Sequence, residues 1–345
     1  MKKKILIIGA VPHPDDLRTF GGTTTLMQNF IDYCCEHHYA YRHIDTLKYK
    51  NKIANLLHFV TKFIYGLFTS DAVMYNVSVN GAFTLFYHTA PIAYFLGKKV
   101  VFRKFGGNFL NQLQECPIKK RLKMVKLLNK ASVIYFETKA LMSEAPKLFR
   151  YPERIKWFPN CRRPAITSSR SEFRKRFVFI SRMEEVKGIE HLMNVVDSLP
   201  EGYTMHLYGP IIDEKYDRID YFKGRKAEYR GALKTESVLK TLKEYDVLVL
   251  PSHWQSEGYP GIIVEAMSVG LPVISTRIGG IPEMIDDGVN GLLVEPHDEN
   301  GLRKAMLSFN DETYAQMAKK SVDCFNKKYN SDIINEKVYR TIISL

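Results

Sequence analysis

Cysteine is scarce and unpatterned in this chain. Its five cysteines, Cys34, Cys35, Cys116, Cys161 and Cys324, are an odd number with no C-x-x-C or other zinc-like spacing. That excludes a disulfide scaffold or a cysteine zinc module and predicts reduced thiols packed as small hydrophobes. Long apolar runs are missing too. The nearest, Ile53 to Phe68, is broken by His58 and Lys62 and falls short of the ~20 uninterrupted apolar residues of a membrane span. The opening MKKKILIIGAVPHPDD has a short apolar run, Ile5 to Val11, that ends in Pro-His-Pro-Asp-Asp without a small-residue cleavage site, so it predicts a buried first strand rather than a leader. Internal repeats and low-complexity tracts are absent. With 45% hydrophobic and 25% charged residues, disordered and fibrous classes are excluded.

Acidic residues are scarce in one half only. Residues 1–165 hold 26 Lys and Arg against 10 Asp and Glu, whereas residues 166–345 hold 24 against 27. One half therefore faces something anionic: a lipid surface, a nucleic acid or a phosphorylated substrate.

The 345 residues predict two domains at roughly 100–200 residues each. Short β-branched runs alternate with longer amphipathic stretches, the pattern of βαβ units and parallel sheets. Strands are expected at Lys4–Gly9, Ala72–Asn76, Lys99–Phe102, Ser132–Phe136 and Ile155–Phe158, with helices at Gly22–His37, Ile53–Leu67, Ala82–Phe95, Ile118–Asn129 and Lys139–Phe149 between them. The alternation restarts with strands near Phe177–Ser181, Thr204–Tyr208, Ala227–Tyr229, Val247–Leu250, Pro272–Ser275 and Gly291–Val294. The aperiodic, turn-rich stretch from Pro159 to Ser171 marks the boundary. The expected organisation is an α/β chain of two doubly wound domains, 1–163 and 164–328, with a last amphipathic helix in 329–345 packing back toward the first. In such folds ligands bind at the carboxyl ends of the strands, so the cleft between the domains is the expected site.

The richest motif runs from Leu250 to Met267. A strand ends at Leu250, a loop with Glu257, Gly258, Tyr259 and Pro260 follows, and a helix opens near Gly261. Free N–H groups at that helix start suit a phosphate, and the glycines permit close approach of a ligand. Glu265 lies about one turn inside, where a carboxylate can accept hydrogen bonds from vicinal hydroxyls. As a mere solvated residue it would sit oddly among Ile262, Ile263, Ala266 and Met267. Arg182 follows the strand at 177–181 and Lys187 precedes the next helix. Two cations there suit a diphosphate, although an Arg and a Lys near a strand end are ordinarily just solvated. Gly270-Leu271-Pro272-Val273-Ile274 and Gly279-Gly280-Ile281-Pro282-Glu283 add a buried strand and another Gly-Gly loop, and Gly21-Gly22 precedes the first helix.

Together these pieces resemble the family 4 retaining glycosyltransferases of the two-Rossmann-domain GT-B fold. The matching pieces are Gly21-Gly22, Pro159-Asn160, Arg182 with Lys187-Gly188, Glu257-x7-Glu265 and the two Gly-containing motifs after them. The resemblance implies that Arg182 and Lys187 bind the donor diphosphate and stabilise the leaving nucleotide, that Glu265 holds the ribose, and that Glu257 with the backbone of Gly258, Tyr259, Pro260 and Gly261 positions the donor sugar. Gly22 would approach the diphosphate from the facing domain. No metal and no cofactor are expected, since the two cations replace a metal and no convincing D-x-D motif is present. One departure stands out: many members carry a His before a Gly after the fourth strand of the first domain, where this chain has Phe105 before Gly106. Asn108, Lys104 and His88 are the candidate substitutes.

The implied activity is transfer of a sugar from a nucleotide-diphosphate donor, with retention, to an acceptor hydroxyl, with a lipid-linked saccharide of bacterial surface polysaccharide assembly as the acceptor. The rivals are a nucleotide-sugar epimerase or phosphorylase of the same fold and, more distantly, a nucleic-acid-binding protein, for which no module is recognisable. The chain is expected to be cytoplasmic and peripheral on an anionic membrane. Two basic amphipathic stretches would dock it: Pro117–Lys130, with Ile118, Leu122, Val125 and Leu128 on one face, and Lys48–Phe68, with Ile53, Leu56, Leu57, Val60, Ile64 and Phe68.

Overall fold

The computed structural model describes residues 3–13, 21–165, 171–217 and 220–345. These form two units, one of residues 1–161 with 331–345 and the other of residues 162–330.

The first unit is built on six parallel strands: β1 (Ile5–Ile8), β2 (Tyr41–Ile44), β3 (Ala72–Val77), β4 (Lys99–Lys104), β5 (Val133–Phe136) and β6 (Ile155–Trp157), in the order β2-β1-β3-β4-β5-β6. Both faces are covered, so the central strands read as unbroken apolar runs. Alternate residues feed opposite layers. Leu6, Ile8, Val73, Tyr75, Val100 and Phe102 pack one way, whereas Ile5, Ile7, Met74 and Val101 pack the other. The helices are α1 (Gly22–Glu36), α2 (Lys52–Thr69), α3 (Val79–Gly81), α4 (Tyr87–Phe95), α5 (Phe109–Glu115), α6 (Ile118–Lys130) and α7 (Lys139–Glu144).

The second unit repeats the plan with β7 (Arg176–Ile180), β8 (Thr204–Tyr208), β9 (Ala227–Tyr229), β10 (Val247–Leu250), β11 (Val273–Thr276) and β12 (Gly291–Val294), all parallel, in the order β12-β11-β10-β7-β8-β9. Its helices are α8 (Ile189–Asp197), α9 (Val238–Leu242), α10 (Gly261–Ser268), α11 (Glu299–Leu307) and α12 (Asp311–Lys328). The last helix, α13 (Ser331–Ile343), belongs to the first unit, where Ile334, Val338, Tyr339 and Ile342 join the layer that α1 covers. Each sheet has a point where the chain order reverses, between β1 and β3 in the first and between β7 and β10 in the second. Loops part there at the carboxyl ends and leave room for ligands. Two doubly wound, Rossmann-like domains are thus present, as the alternation predicts.

Several elements differ from the sequence reading. β2 was not expected: Tyr-Arg-His-Ile is an edge strand without an apolar run. α5 was not expected either. β4 extends two residues beyond Phe102, burying Arg103 and Lys104. The helix expected at Ala82–Phe95 contains a π-helical segment, Ala82–Phe86, before α4. The last helix starts at Ser331 rather than Tyr329, which ends α12 with its side chain buried.

The amphipathic stretches divide differently from their periodicity. In α6 the core takes Met124, Leu127 and Leu128, Val125 packs at its margin, and Ile118 and Leu122 face outward. In α2 only Phe63, Gly66 and Leu67 are buried. Ile53 is 71% exposed and Phe68 72%, with Leu56, Leu57 and Ile64 also outward. α4, which packs in the same layer, ends at Phe95, 88% exposed. No helix among the described residues is long and apolar enough to cross a membrane.

Candidate active site

In the second unit, the segments after β7 and β10 leave the sheet side by side at its reversal point. After β7 the chain runs through Arg182 to a 3-10 turn, Glu185–Lys187, and then Gly188. Gly188 has φ 75°, and a Cβ there would lie 2.1 Å from the Pro251 carbonyl oxygen, so only glycine lets this segment press against the loop after β10. The contact is sealed by the His253 N–H donating to the Val186 carbonyl at 2.9 Å, with Ser252 Oγ 3.2 Å from the same oxygen.

That junction brings two of the expected residues together. Lys187 Nζ donates to Glu257 Oε2 at 2.6 Å, and Ser252 Oγ donates to the same oxygen at 2.8 Å. The Lys187 and Glu257 side chains are 6% and 8% exposed. Lys187 also lies 4.8 Å from the centroid of the Trp254 ring. An ammonium has three donors, and Glu257 engages one of them. Gly279 and Gly280 brace the loop from behind. Gly279, at φ 53°, would clash with the Glu257 carbonyl if it carried a Cβ, and the Gly280 N–H donates to that carbonyl at 2.9 Å. Tyr259 donates to Glu283 Oε2 at 2.5 Å, so the Gly-Gly-Ile-Pro-Glu segment clamps the Glu257 loop.

The remaining expected residues have other partners or only backbone to offer. Arg182 is half exposed and pairs with Glu184 at 2.9 Å. Glu265, on α10, accepts from Arg162 Nε at 2.6 Å. Gly258, Tyr259 and Pro260 lead into α10, which opens at Gly261 behind Pro260 with no side-chain cap. An uncapped start leaves N–H groups available to an anion. Gly22 opens α1 in the first unit, where an added Cβ would meet nothing within 4 Å.

The first unit has its own candidate site. A cavity of about 280 Å³ at the reversal point of its sheet is lined by Ala10, Gly21, Thr23, Asn76, Ser78 and Phe105, among others. Phe105, where the family His was expected, is thus part of the wall. Of the proposed substitutes, Lys104 is buried with its Nζ donating to the Phe105 carbonyl, and burial pushes its pKa down to about 8. Asn108 precedes α5, and His88 is exposed on α4.

Sequence reasoning missed three features. Arg162, read as linker, is the partner of Glu265. His13 Nε2 lies 2.6 Å from Asp45 Oδ2, beyond β1 and β2. His191, His253 and His297 gather in the second unit. Local spacing announces none of these. The usable signal was position: all but His191 lie within about five residues of a strand's carboxyl end.

Residues 174–311 match the family described as glycosyl transferases group 1. Among curated proteins, the chain is 27% identical over 179 residues to a putative colanic acid biosynthesis glycosyltransferase of Escherichia coli, covering 47% of this chain and 43% of the relative. It is 29% identical over 157 residues to a sulfoquinovosyl transferase of Arabidopsis thaliana, covering 44% and 30%. The match spans less than half the length of these relatives. Among solved structures, HepE of Anabaena in complex with UDP superposes with a TM-score of 0.76 at 17% identity, covering 100% of both chains. Sucrose-phosphate synthase of Thermosynechococcus elongatus follows with 0.73 at 14%, covering 99% and 100%. The chain thus shares its two-domain fold with these structures, and its residues 174–311 resemble group 1 glycosyl transferases.

Proposed function

We propose that this chain is a retaining glycosyltransferase that moves a sugar from a nucleotide-diphosphate donor to an acceptor hydroxyl in surface polysaccharide assembly. The observation that carries the reading is the Lys187–Glu257 pair held beside the uncapped start of α10, inside the segment that resembles group 1 glycosyl transferases. The donor diphosphate would rest on the N–H groups at Gly261, with Lys187 and Arg182 neutralising it. Glu265, oriented by Arg162, would accept from the ribose hydroxyls. Glu257 and the Gly258–Gly261 backbone would hold the sugar. The departing diphosphate takes the acceptor proton on the face it leaves from, so the protein's part is orientation and electrostatic stabilisation, without a protein nucleophile. We assign the neutralisation to the two cations and no metal to the transfer step.

UDP is the first donor base to test, because HepE was solved with UDP and with UDP-glucose. For the acceptor side, the cavity lined by Phe105 and Gly21 in the first unit is the proposed site. A lipid-linked acceptor agrees with the outward apolar residues of α2, α4 and α6, which Lys48, Lys50, Lys52, Lys62, Lys119 and Lys123 accompany. Peripheral docking on an anionic membrane follows from that combination.

The test is a thermal-shift screen against UDP, GDP, ADP and their sugars, followed by NMR of the product. Stabilisation by one nucleotide and retained anomeric configuration are expected. Glu265→Gln, which keeps the hydrogen bond to Arg162, is expected to raise donor KM about tenfold, ~1.4 kcal/mol, with little change in melting temperature. Inversion, or an unchanged donor KM, would refute the assignment.

A further inference from the structure

Three histidines meet at the carboxyl edge of the second sheet, outside the residues assigned to the donor. His191 lies on α8, His253 in the loop after β10, and His297 in the loop after β12, and one ring nitrogen from each lies within 4.8 Å of the other two. We propose that they form a binding site for a divalent transition metal of the zinc class, which fastens these three segments to one another.

Four observations agree. First, imidazoles without carboxylates in the inner set favour zinc, nickel or copper over magnesium or calcium. Tetrahedral zinc needs nitrogens about 3.3 Å apart, so closure from 4.8 Å takes small side-chain rotations. Second, the outer partner is in place. Glu299 Oε1 lies 2.9 Å from His191 Nδ1 and also accepts from Asn194 at 3.1 Å, which fixes the ring and leaves Nε2 facing the cluster. Third, His253 Nδ1 is buried with no hydrogen-bond partner, so the ring brings an unsatisfied nitrogen to the cluster. Fourth, His297 has φ 65°, a left-handed backbone that strains a non-glycine residue. Glycine would fit that turn without cost. A histidine there presents a ring nitrogen, Nδ1, 2.9 Å from His191 Nε2. With His191 Nδ1–H given to Glu299, the proton of that hydrogen bond sits on His297 Nδ1; when the metal binds, His297 takes the tautomer with its proton on Nε2, so both nitrogens offer lone pairs. Three protein ligands leave a fourth position for water.

The site adjoins the active-site loops. The His253 N–H holds the Val186 carbonyl, one residue from Lys187, and Ser252 next to it bonds Glu257. Metal at the histidines would therefore stiffen both segments that carry the buried ion pair.

The test uses the full-length chain stripped of metal, titrated with Zn²⁺ against a competing chelating dye and followed by thermal unfolding. One Zn²⁺ per chain and a melting temperature that rises to saturation at one equivalent are expected, with no rise from Mg²⁺. His297→Gly is the decisive variant. It removes a ligand and relieves the left-handed strain, so without metal it is expected to melt at or above wild type while its zinc response disappears. It keeps all five cysteines, so zinc held by thiols would register equally in both proteins. Glu299→Gln is expected to weaken zinc about 10–100-fold. Equal zinc binding by wild type and His297→Gly, or an equal response to Mg²⁺, would overturn the proposal.

Discussion

Lys187 and Glu257 stand 70 residues apart in sequence and 2.6 Å apart in space, both almost closed to water. Removing one member of a buried pair strands the other charge, at a cost of about 3–5 kcal/mol. Lys187→Ala is therefore expected to lower stability as well as activity. Adding Glu257→Gln should recover much of the stability and none of the transfer, measured by urea unfolding beside turnover. Glu257 and Glu265 were legible because strand, loop and helix follow one another within eighteen residues, so a local pattern fixes their neighbourhood. Which side chains they pair with was not. Lys187 and Arg162 reach them only through the packing of separate loops, and nothing near Arg162 distinguishes it from the charged linker it was read as.

Among the elements, α13 shows how a single carboxylate fastens a helix. Glu336 accepts from the hydroxyls of Tyr33 on α1 and of Tyr39, and from Arg340, and these hydrogen bonds depress its pKa to about 2. A depressed carboxyl pKa contributes stability that is present above the ordinary glutamate value and is lost as pH falls through about 2. Glu336→Gln should therefore destabilise the first unit at neutral pH and flatten its acid limb between pH 5 and 2, read by near-UV circular dichroism. The fold class was legible from elements whose strands carry apolar runs, because a sheet covered on both faces writes its burial directly into the sequence. β2 escaped since an edge strand of Tyr, Arg, His and Ile has no such run. The end of β4 escaped since Arg103 and Lys104 are buried charges: the Arg103 guanidinium lies over the Phe158 ring at 3.3 Å, and Glu137 beside Lys104 offsets part of the cost of burying its ammonium.

At the scale of the molecule, charge and exposed apolar surface coincide. The basic excess lies in residues 1–165, and within them α2 turns Ile53, Leu56, Leu57, Ile64 and Phe68 outward among lysines. Ile53→Ser with Phe68→Ser is expected to abolish co-sedimentation with anionic liposomes without lowering the melting temperature, and binding by wild type should fall as salt rises. Equal binding to neutral liposomes would refute electrostatic docking. The return of α13 to the first unit has a consequence for synthesis. The second unit begins at Arg162 and ends at Asn330, and those two residues pair as neighbouring backbones, so its polypeptide is complete once Asn330 has left the ribosome. The first unit is begun earlier yet waits for Ile334, Val338, Tyr339 and Ile342, with Tyr339 stacking on Tyr39 at 3.6 Å, to cover its open face. A chain ending at Asn330, released from the ribosome and exposed to protease, should therefore yield a protected fragment from residues 162–330 while residues 1–161 are cut, and the chain extended to Leu345 should protect both. The domain translated first is the one that folds last, and its unfinished apolar face is where chaperones should engage this chain.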